Sequence, residues 1–322
     1  MQIPYLALCT VVIGTWSSGH GPAWAQNYPS KPVRIVTAEP GGGNDLASRL
    51  IAQGLTASLG QQVIVDNRGG SGLAAGDAVY KAQADGHTLL LYGSNIWLLP
   101  FMRDNVPYDP VKDFLPITMP VISPNIIVVH PSVAAGSVKE LIALAKSKPG
   151  ELNYASSGTG AATHLAAELF KAMAGVNIVR VPYRGSGPAL NALISGQVQM
   201  MVSTTAAGWP HVKSGRLKAL AVTTSQPTAL APGLATVATT GLPGYQSATV
   251  YGVFAPARTP AAIISRLNDE IVRVLKLPEV KERFFNAGVE IIGSTPEQLA
   301  ATVKSEMTVL GKLIKDVGIR EE

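Results

Sequence analysis

Short apolar runs alternate with amphipathic stretches along most of the chain. Val33-Arg34-Ile35-Val36 precedes a helical pattern over Asn44–Leu59, Gln62–Val65 precedes another over Gly72–Ala84, and Thr88–Tyr92 forms a third apolar run. This rhythm predicts βαβ units and a mainly parallel sheet flanked by helices. The apolar stretch Ile117–His130 is interrupted by Ser123-Pro124, which predicts a crossing between lobes rather than one long strand. The rhythm then restarts. Ser137–Lys148 reads as a helix with Ser137 as cap and Glu140 three residues on, a capping box. Strands are expected at Leu152–Ala155, Ile178–Tyr183, Val198–Ser203 and Leu217–Thr223, with helices at Ala162–Ala174 and Ala189–Ser195. Residues 226–248 carry Pro227, Pro232 and Pro243 and read as an irregular return. A strand follows at Ala248–Ala255, then helices at Pro260–Leu277 and Val280–Ala287 and a last amphipathic helix from Thr295. The expectation is an α/β fold of two lobes. Lobe 1 is discontinuous (26–123 and 237–322), lobe 2 is 124–236, and two crossings form a hinge.

The first 25 residues break this pattern. They contain no Lys, Arg, Asp or Glu, run apolar from Tyr5 to Trp16 and end in Ala23-Trp24-Ala25, the small-x-small signature of a cleaved export signal. The apolar run falls short of the roughly 20 residues that span a bilayer. Cys9, the only cysteine, lies inside it, with Leu8 where lipid attachment would want a small residue. The mature chain then has no thiol for disulfides, metal ligation or catalysis. A net charge of +5, with 47% hydrophobic and 15% charged residues, describes a soluble globular chain suited to an anionic ligand. Lys and Arg do not cluster with stacking aromatics, which argues against a nucleic-acid partner. No later segment reaches about 18 consecutive apolar residues, so the mature chain is not expected to insert in a membrane.

Two corners carry the candidate chemistry. Pro40-Gly41-Gly42-Gly43-Asn44-Asp45 lies between a strand and a helix, where glycines permit close approach and the helix start offers unpaired N–H groups. Such a turn grips a carboxylate or phosphate, although alone it reads equally well as a flexible corner capped by Asn44 or Asp45. A second corner of the same kind, Ser156-Ser157-Gly158-Thr159-Gly160-Ala161-Ala162-Thr163, falls in the second lobe. One such corner per lobe predicts a shared interlobe site. Tyr183-Arg184-Gly185-Ser186 and Ser203-Thr204-Thr205 end strands nearby, and Arg184 could pair with a carboxylate or sit in a surface turn. The mature chain keeps His87, His130, His164 and His211 in unrelated contexts, and nucleophile-elbow, zinc-helix and Walker patterns are absent. His164 beside the second corner reads as a cap before it reads as a catalyst. Gly70–Gly76 mimics a dinucleotide fingerprint, but Ala75 stands where the third glycine belongs, so it is assigned to a loop and helix start.

Many segments in order resemble the solute-binding receptors of tripartite tricarboxylate transporters, the Bug receptors. They are Tyr28-Pro29-Ser30-Lys31-Pro32-Val33-Arg34, the triple glycine, Val65-Asp66-Asn67-Arg68, Ala84-Asp85-Gly86, Tyr108–Phe114, Leu152–Ser156, Val181–Gly185 and Gly241–Tyr245. The resemblance implies a type II periplasmic-binding-protein fold closing on a small mono- or dicarboxylate. It implies no cofactor and no metal, a monomer, and membrane permease subunits as partners. By position the ligand residues would be Gly41, Gly42, Gly43, Asn44, Asp45, Ser156, Ser157, Gly158, Thr159, Gly160 and Thr163, with Tyr183, Arg184 and Ser203 nearby. Two departures stand out: Glu39 beside the presumed anion site, and Ser203 where many members carry Asp. Glu39 would repel an acid unless it turns away, which opens the way to a ligand with an amine, amide or neutral end. Rival readings are a sensor-type binding protein and an enzyme using His164 or Arg184.

Overall fold

The structure, a computed structural model, describes residues 28–69 and 72–321; the expected export signal and Cys9, and Gly70 and Ser71 of the glycine-rich loop, lie outside the described residues. The first half runs β1 (Val33–Thr37), α1 (Gly43–Leu59), β2 (Val63–Asn67), α2 (Leu73–Tyr80), β3 (Thr88–Gly93), α3 (Asn95–Met102), β4 (Phe114–Thr118) and β5 (Val121–Val129). Next come α4 (Val138–Ser147), β6 (Asn153–Ser156), α5 (Ala162–Ala174), β7 (Val179–Pro182), α6 (Ser186–Ile194), β8 (Met200–Thr204), α7 (Thr205–Lys213), β9 (Lys218–Val222) and α8 (Val237–Thr240). The chain closes with β10 (Ala248–Pro256), α9 (Ala261–Leu275), α10 (Pro278–Asn286), β11 (Glu290–Ile291) and α11 (Pro296–Val317).

The strands join in the order β2-β1-β3-β10-β5-β8-β6-β7, with β4 beside β10, and β9 and β11 beside β5. Parallel pairing holds at both ends, β1 with β2 and β3, and β6 with β7 and β8. Two nine-residue antiparallel strands connect the ends. In β10, Ala248–Val250 pair with Ile122–Pro124, whereas Tyr251–Phe254 pair with β3. In β5, Val121 and Ile122 face β11, whereas Asn125–Val129 face β8. Ser123-Pro124 therefore does not interrupt the strand, as the sequence suggested; it sits inside β5 where the ladder changes partner. A proline without an N–H is tolerated there because little ladder is lost.

Period-two alternation explains the burial. Ile127 and Val129 pack with Tyr154 and Phe170 on one face, while Ile126 and Val128 pack with Leu190 and Met201 on the other. A run buried on both faces reads as unbroken apolar sequence. In the first half, Val33 and Ile35 pack with Leu55 and Leu267, and Val36 faces Trp97 and Phe254. Val237, Leu242 and Tyr245 pack with Phe170, so this segment, which the sequence places in lobe 1, associates with the second half. The chain changes neighbours at Ala248–Val250.

Local signals fared unevenly. Ser137 Oγ accepts from Glu140 N at 3.2 Å, but the Glu140 carboxylate takes the Gly136 N–H at 2.7 Å, so the expected box is only half formed. A complete box stands at Thr295 and Gln298. The sequence reading missed α3 and α7, which carry Pro100 and Pro210. Ile96, Trp97, Leu98, Leu99 and Met102 are all buried, leaving α3 no polar face to register as a period. Pro100 also frees the Ile96 carbonyl, which accepts from Tyr108 Oη at 3.4 Å.

Phe170 is fully buried and meets Tyr245 edge-on with ring centroids 6.2 Å apart. Truncation to alanine is expected to cost about 3–5 kcal/mol in urea unfolding; a loss below about 1 kcal/mol would mean this core collapses around the gap.

Candidate functional site

The first corner is built by β1 delivering the chain into the start of α1. Gly42 caps α1 with extended backbone, and among the described residues no side chain bonds its first N–H groups. Leu46 N donates to Gly42 O at 3.0 Å as the helix ladder begins, so the donors of Gly43 and Asn44 stay at the positive end of the helix dipole. Gly43 is required by packing, because a Cβ there would fall 2.2 Å from Tyr251 Oη. Burial pushes the Tyr251 phenol up to about 12, which keeps the hydroxyl protonated as a donor.

Asp45 holds the corner together. Its carboxylate accepts from Gly41 N at 3.0 Å, Arg49 Nε at 2.9 Å and Asn67 Nδ2 at 2.9 Å. Burial alone would raise its pKa, but these bonds and the Arg49 charge outweigh burial and hold it at about 2. Its charge is thus spent inside the corner.

A cavity of about 410 Å³ opens in front of this corner. Gly41, Gly42, Gly43 and Asp45 line it together with Ser123, Thr204, Ala206 and Tyr251. Thr204 is the N-cap of α7, accepting from Ala207 N at 3.4 Å, so the first turns of two helices from opposite halves share the space. Gly288 carbonyl accepts from Ser123 Oγ at 3.4 Å and Thr205 Oγ1 at 3.3 Å, tying the turn after α10 to the strand crossing. Helix-start N–H groups and hydroxyls around one cavity can hold an anion without a full positive charge. Glu39 is exposed and lies over Gly69, where a Cβ would meet Glu39 Oε2 at 3.9 Å. It does not line the cavity.

The second corner is ordered by its own side chains. Ser157 Oγ and Thr163 Oγ1 share a hydrogen bond at 3.2 Å, and His164 Nδ1 accepts from Gly160 N at 3.1 Å. Burial and the Arg180 charge lower the His164 pKa to about 4, so the ring is neutral and acts as a loop brace. Gly160 presses on α3, where a Cβ would lie 2.6 Å from Met102 Sδ. Ala161, the N-cap of α5, offers no side-chain cap. Tyr183 N donates to Ser156 O at 2.8 Å and Gly185 N to Ser157 O at 3.0 Å, lacing the third corner to the second. Arg184 is exposed.

The predicted residues thus fall into two groups. Gly41, Gly42, Gly43 and Asp45 meet Thr204 around the cavity, Asn44 stands behind that lining, and Ser156–Thr163 and Tyr183–Ser186 form a second cluster outside it. Ser203 is buried, and its hydroxyl donates to Thr204 O at 3.2 Å. Tyr251, Ser123 and Arg180 escaped the sequence reading. Only Arg180 left a trace, as a charge between Val179 and Val181 in a strand. Among the described residues no group of His, Cys, Asp or Glu could hold a metal, and no helix is long and apolar enough to cross a membrane.

Residues 47–319 match the model of the tripartite tricarboxylate transporter family receptor. The chain belongs to this family. The protein BugT of Bordetella pertussis is 34% identical over 96% of the chain and 97% of its own length. Among solved structures, Rpa4515 of R. palustris with adipate is 34% identical, with a TM-score of 0.76 over 91% of this chain and 99% of that one. MatC from Rhodopseudomonas palustris with bound malate is 28% identical, with a TM-score of 0.73 over 89% and 100%. The fold is therefore that of the solute-binding receptors of this family, the type II binding-protein class.

Asp45 stabilises the fold where its folded pKa lies below the unfolded value: the contribution is full above 3.8 and is lost as pH falls through about 2. Asp45→Asn is expected to lose less stability than the wild type between about pH 5 and about pH 2 in urea titrations. Equal acid sensitivity of the two proteins would show that the carboxylate does not brace the corner.

Proposed function

We propose that the protein is a periplasmic receptor that captures a small carboxylate and presents it to the membrane components of a tripartite transporter. One observation carries this reading: two helix starts from opposite halves, with the Tyr251, Ser123 and Thr204 hydroxyls, line a single cavity in which the one buried carboxylate among the described residues, Asp45, is already neutralised. The adipate and malate in the related structures support a ligand with one or two carboxylates. The cavity seats one carboxylate against Gly42–Asn44. Closure about β5 and β10 then brings the Ser156–Thr163 corner, with Tyr183 and Arg184, onto the other end of the ligand. The ligand drives closure by binding the closed arrangement more tightly. The lobes divide at Pro124 on the way out and at Ala248–Val250 on the way back.

The chemistry called for is binding alone. His164 is committed to Gly160, so no base stands ready beside a nucleophile in the second corner. With Glu39 over Gly69, the carboxylate that lines the cavity is Asp45, already paired with Arg49, so the amine or amide end considered from the sequence is not needed.

Calorimetry with four- to six-carbon mono- and dicarboxylates, with NMR of the recovered ligand, tests the proposal. At least one acid should bind and be recovered unchanged; turnover would make the protein an enzyme. A Cβ at Gly42 meets nothing within 4 Å, so Gly42→Leu should fold, at a cost of about 1 kcal/mol for leucine at a helix N-cap. Its side chain would fill the approach to the helix start and weaken binding about tenfold or more. Wild-type affinity in this variant would remove the first corner from the site.

A further inference from the structure

Arg180 lies on β7 opposite Tyr154 of β6, and its side chain reaches the second corner. Its Nε donates to Ser156 Oγ at 3.2 Å, and a terminal guanidinium nitrogen donates to Thr159 Oγ1 at 3.0 Å. Both hydroxyl oxygens are therefore acceptors here, and each must send its own proton elsewhere. Ser156 sends its proton to Gly158 O at 3.4 Å. Thr159 is exposed, and among the described residues no acceptor for its proton lies within hydrogen-bond distance.

The guanidinium is also not neutralised. Glu168 is held by Lys171 Nζ at 2.8 and 2.9 Å and by Tyr154 Oη at 2.5 Å. Among the described residues no carboxylate comes within ion-pair distance of Arg180. A polarised hydroxyl in front of an unpaired cation is a donor aimed at negative charge.

We propose that Arg180 is the positioning residue of the second corner: it holds Thr159 Oγ1 as an acceptor, so that the Thr159 proton points to a bound carboxylate, and it places a positive charge behind that contact. The inference rests on the carboxylate-binding reading above. It makes the corner prefer a full negative charge over a neutral acceptor such as an amide.

The test is calorimetric titration of the tightest binder from the four- to six-carbon dicarboxylate series at low and high salt. The proteins compared are wild type, Arg180→Met, Arg180→Lys, Thr159→Val and the double variant R180M/T159V. Each loss of a partner should raise Kd about tenfold, since hydrogen bonds to charged groups are being removed. The double variant should be no more than about twofold worse than R180M, because the two groups act as one unit. R180M should show a flatter salt dependence, and R180K should restore the salt dependence. Multiplying losses in the double variant, or an unchanged salt dependence in R180M, would overturn the inference while leaving the receptor reading intact. A wild type that binds none of the acids overturns both. If R180M melts early, the exposed Thr159→Val decides alone: wild-type affinity there sinks the proposal.

Discussion

Backbone N–H groups at the start of a helix must find acceptors, and at α1 no side chain among the described residues supplies one. The surroundings keep those donors exposed and fixed. Gly43 brings the helix start against Tyr251, Asp45 ties the preceding turn to Arg49 and Asn67, and β1 delivers the corner from a strand buried in the sheet. Arg49 also lines the cavity but is paired with Asp45, so the positive charge left to offer an anion is the dipole end of the helix.

Position matters as much as chemistry. The long strands β5 and β10 exchange partners midway, so each belongs to both halves, and the cavity forms beside that exchange. Ser123 stands at the handover in β5, and Thr204 begins α7 opposite it. A site built at a crossing can respond to small rotations of one half against the other, because the lining comes from both. The Gly288 carbonyl, held by Ser123 and Thr205, ties the turn after α10 to the same crossing.

Much of the fold was legible because its period is strong. The α5 boundaries, Ala162–Ala174, coincide with the reading, and the two-lobed α/β architecture followed from the repeated strand-helix alternation. What escaped had weak or conflicting signals. Buried all round and carrying a proline, α3 reads neither as an amphipathic helix nor as a strand; α7 starts at the residue after β8 with no gap to mark it. In the site, the glycine and hydroxyl corners were visible because turn chemistry is local. Tyr251 and Ser123 were not, because what makes them relevant is distance across the fold. Asp45, expected among the ligand residues, braces its corner instead; His164, expected as a cap, braces the second; and Glu39 lies over Gly69, away from the cavity.

The central claim is that main-chain donors at Gly42, Gly43 and Asn44 hold the carboxylate. The most direct measurement is an amide nitrogen–proton NMR titration with a bound dicarboxylate, following those three residues. Downfield proton shifts that saturate with the ligand are expected at these amides, joined by shifts in 156–163. Saturating shifts confined to other regions, such as the apolar groove between Phe101 and Met307, would contradict it.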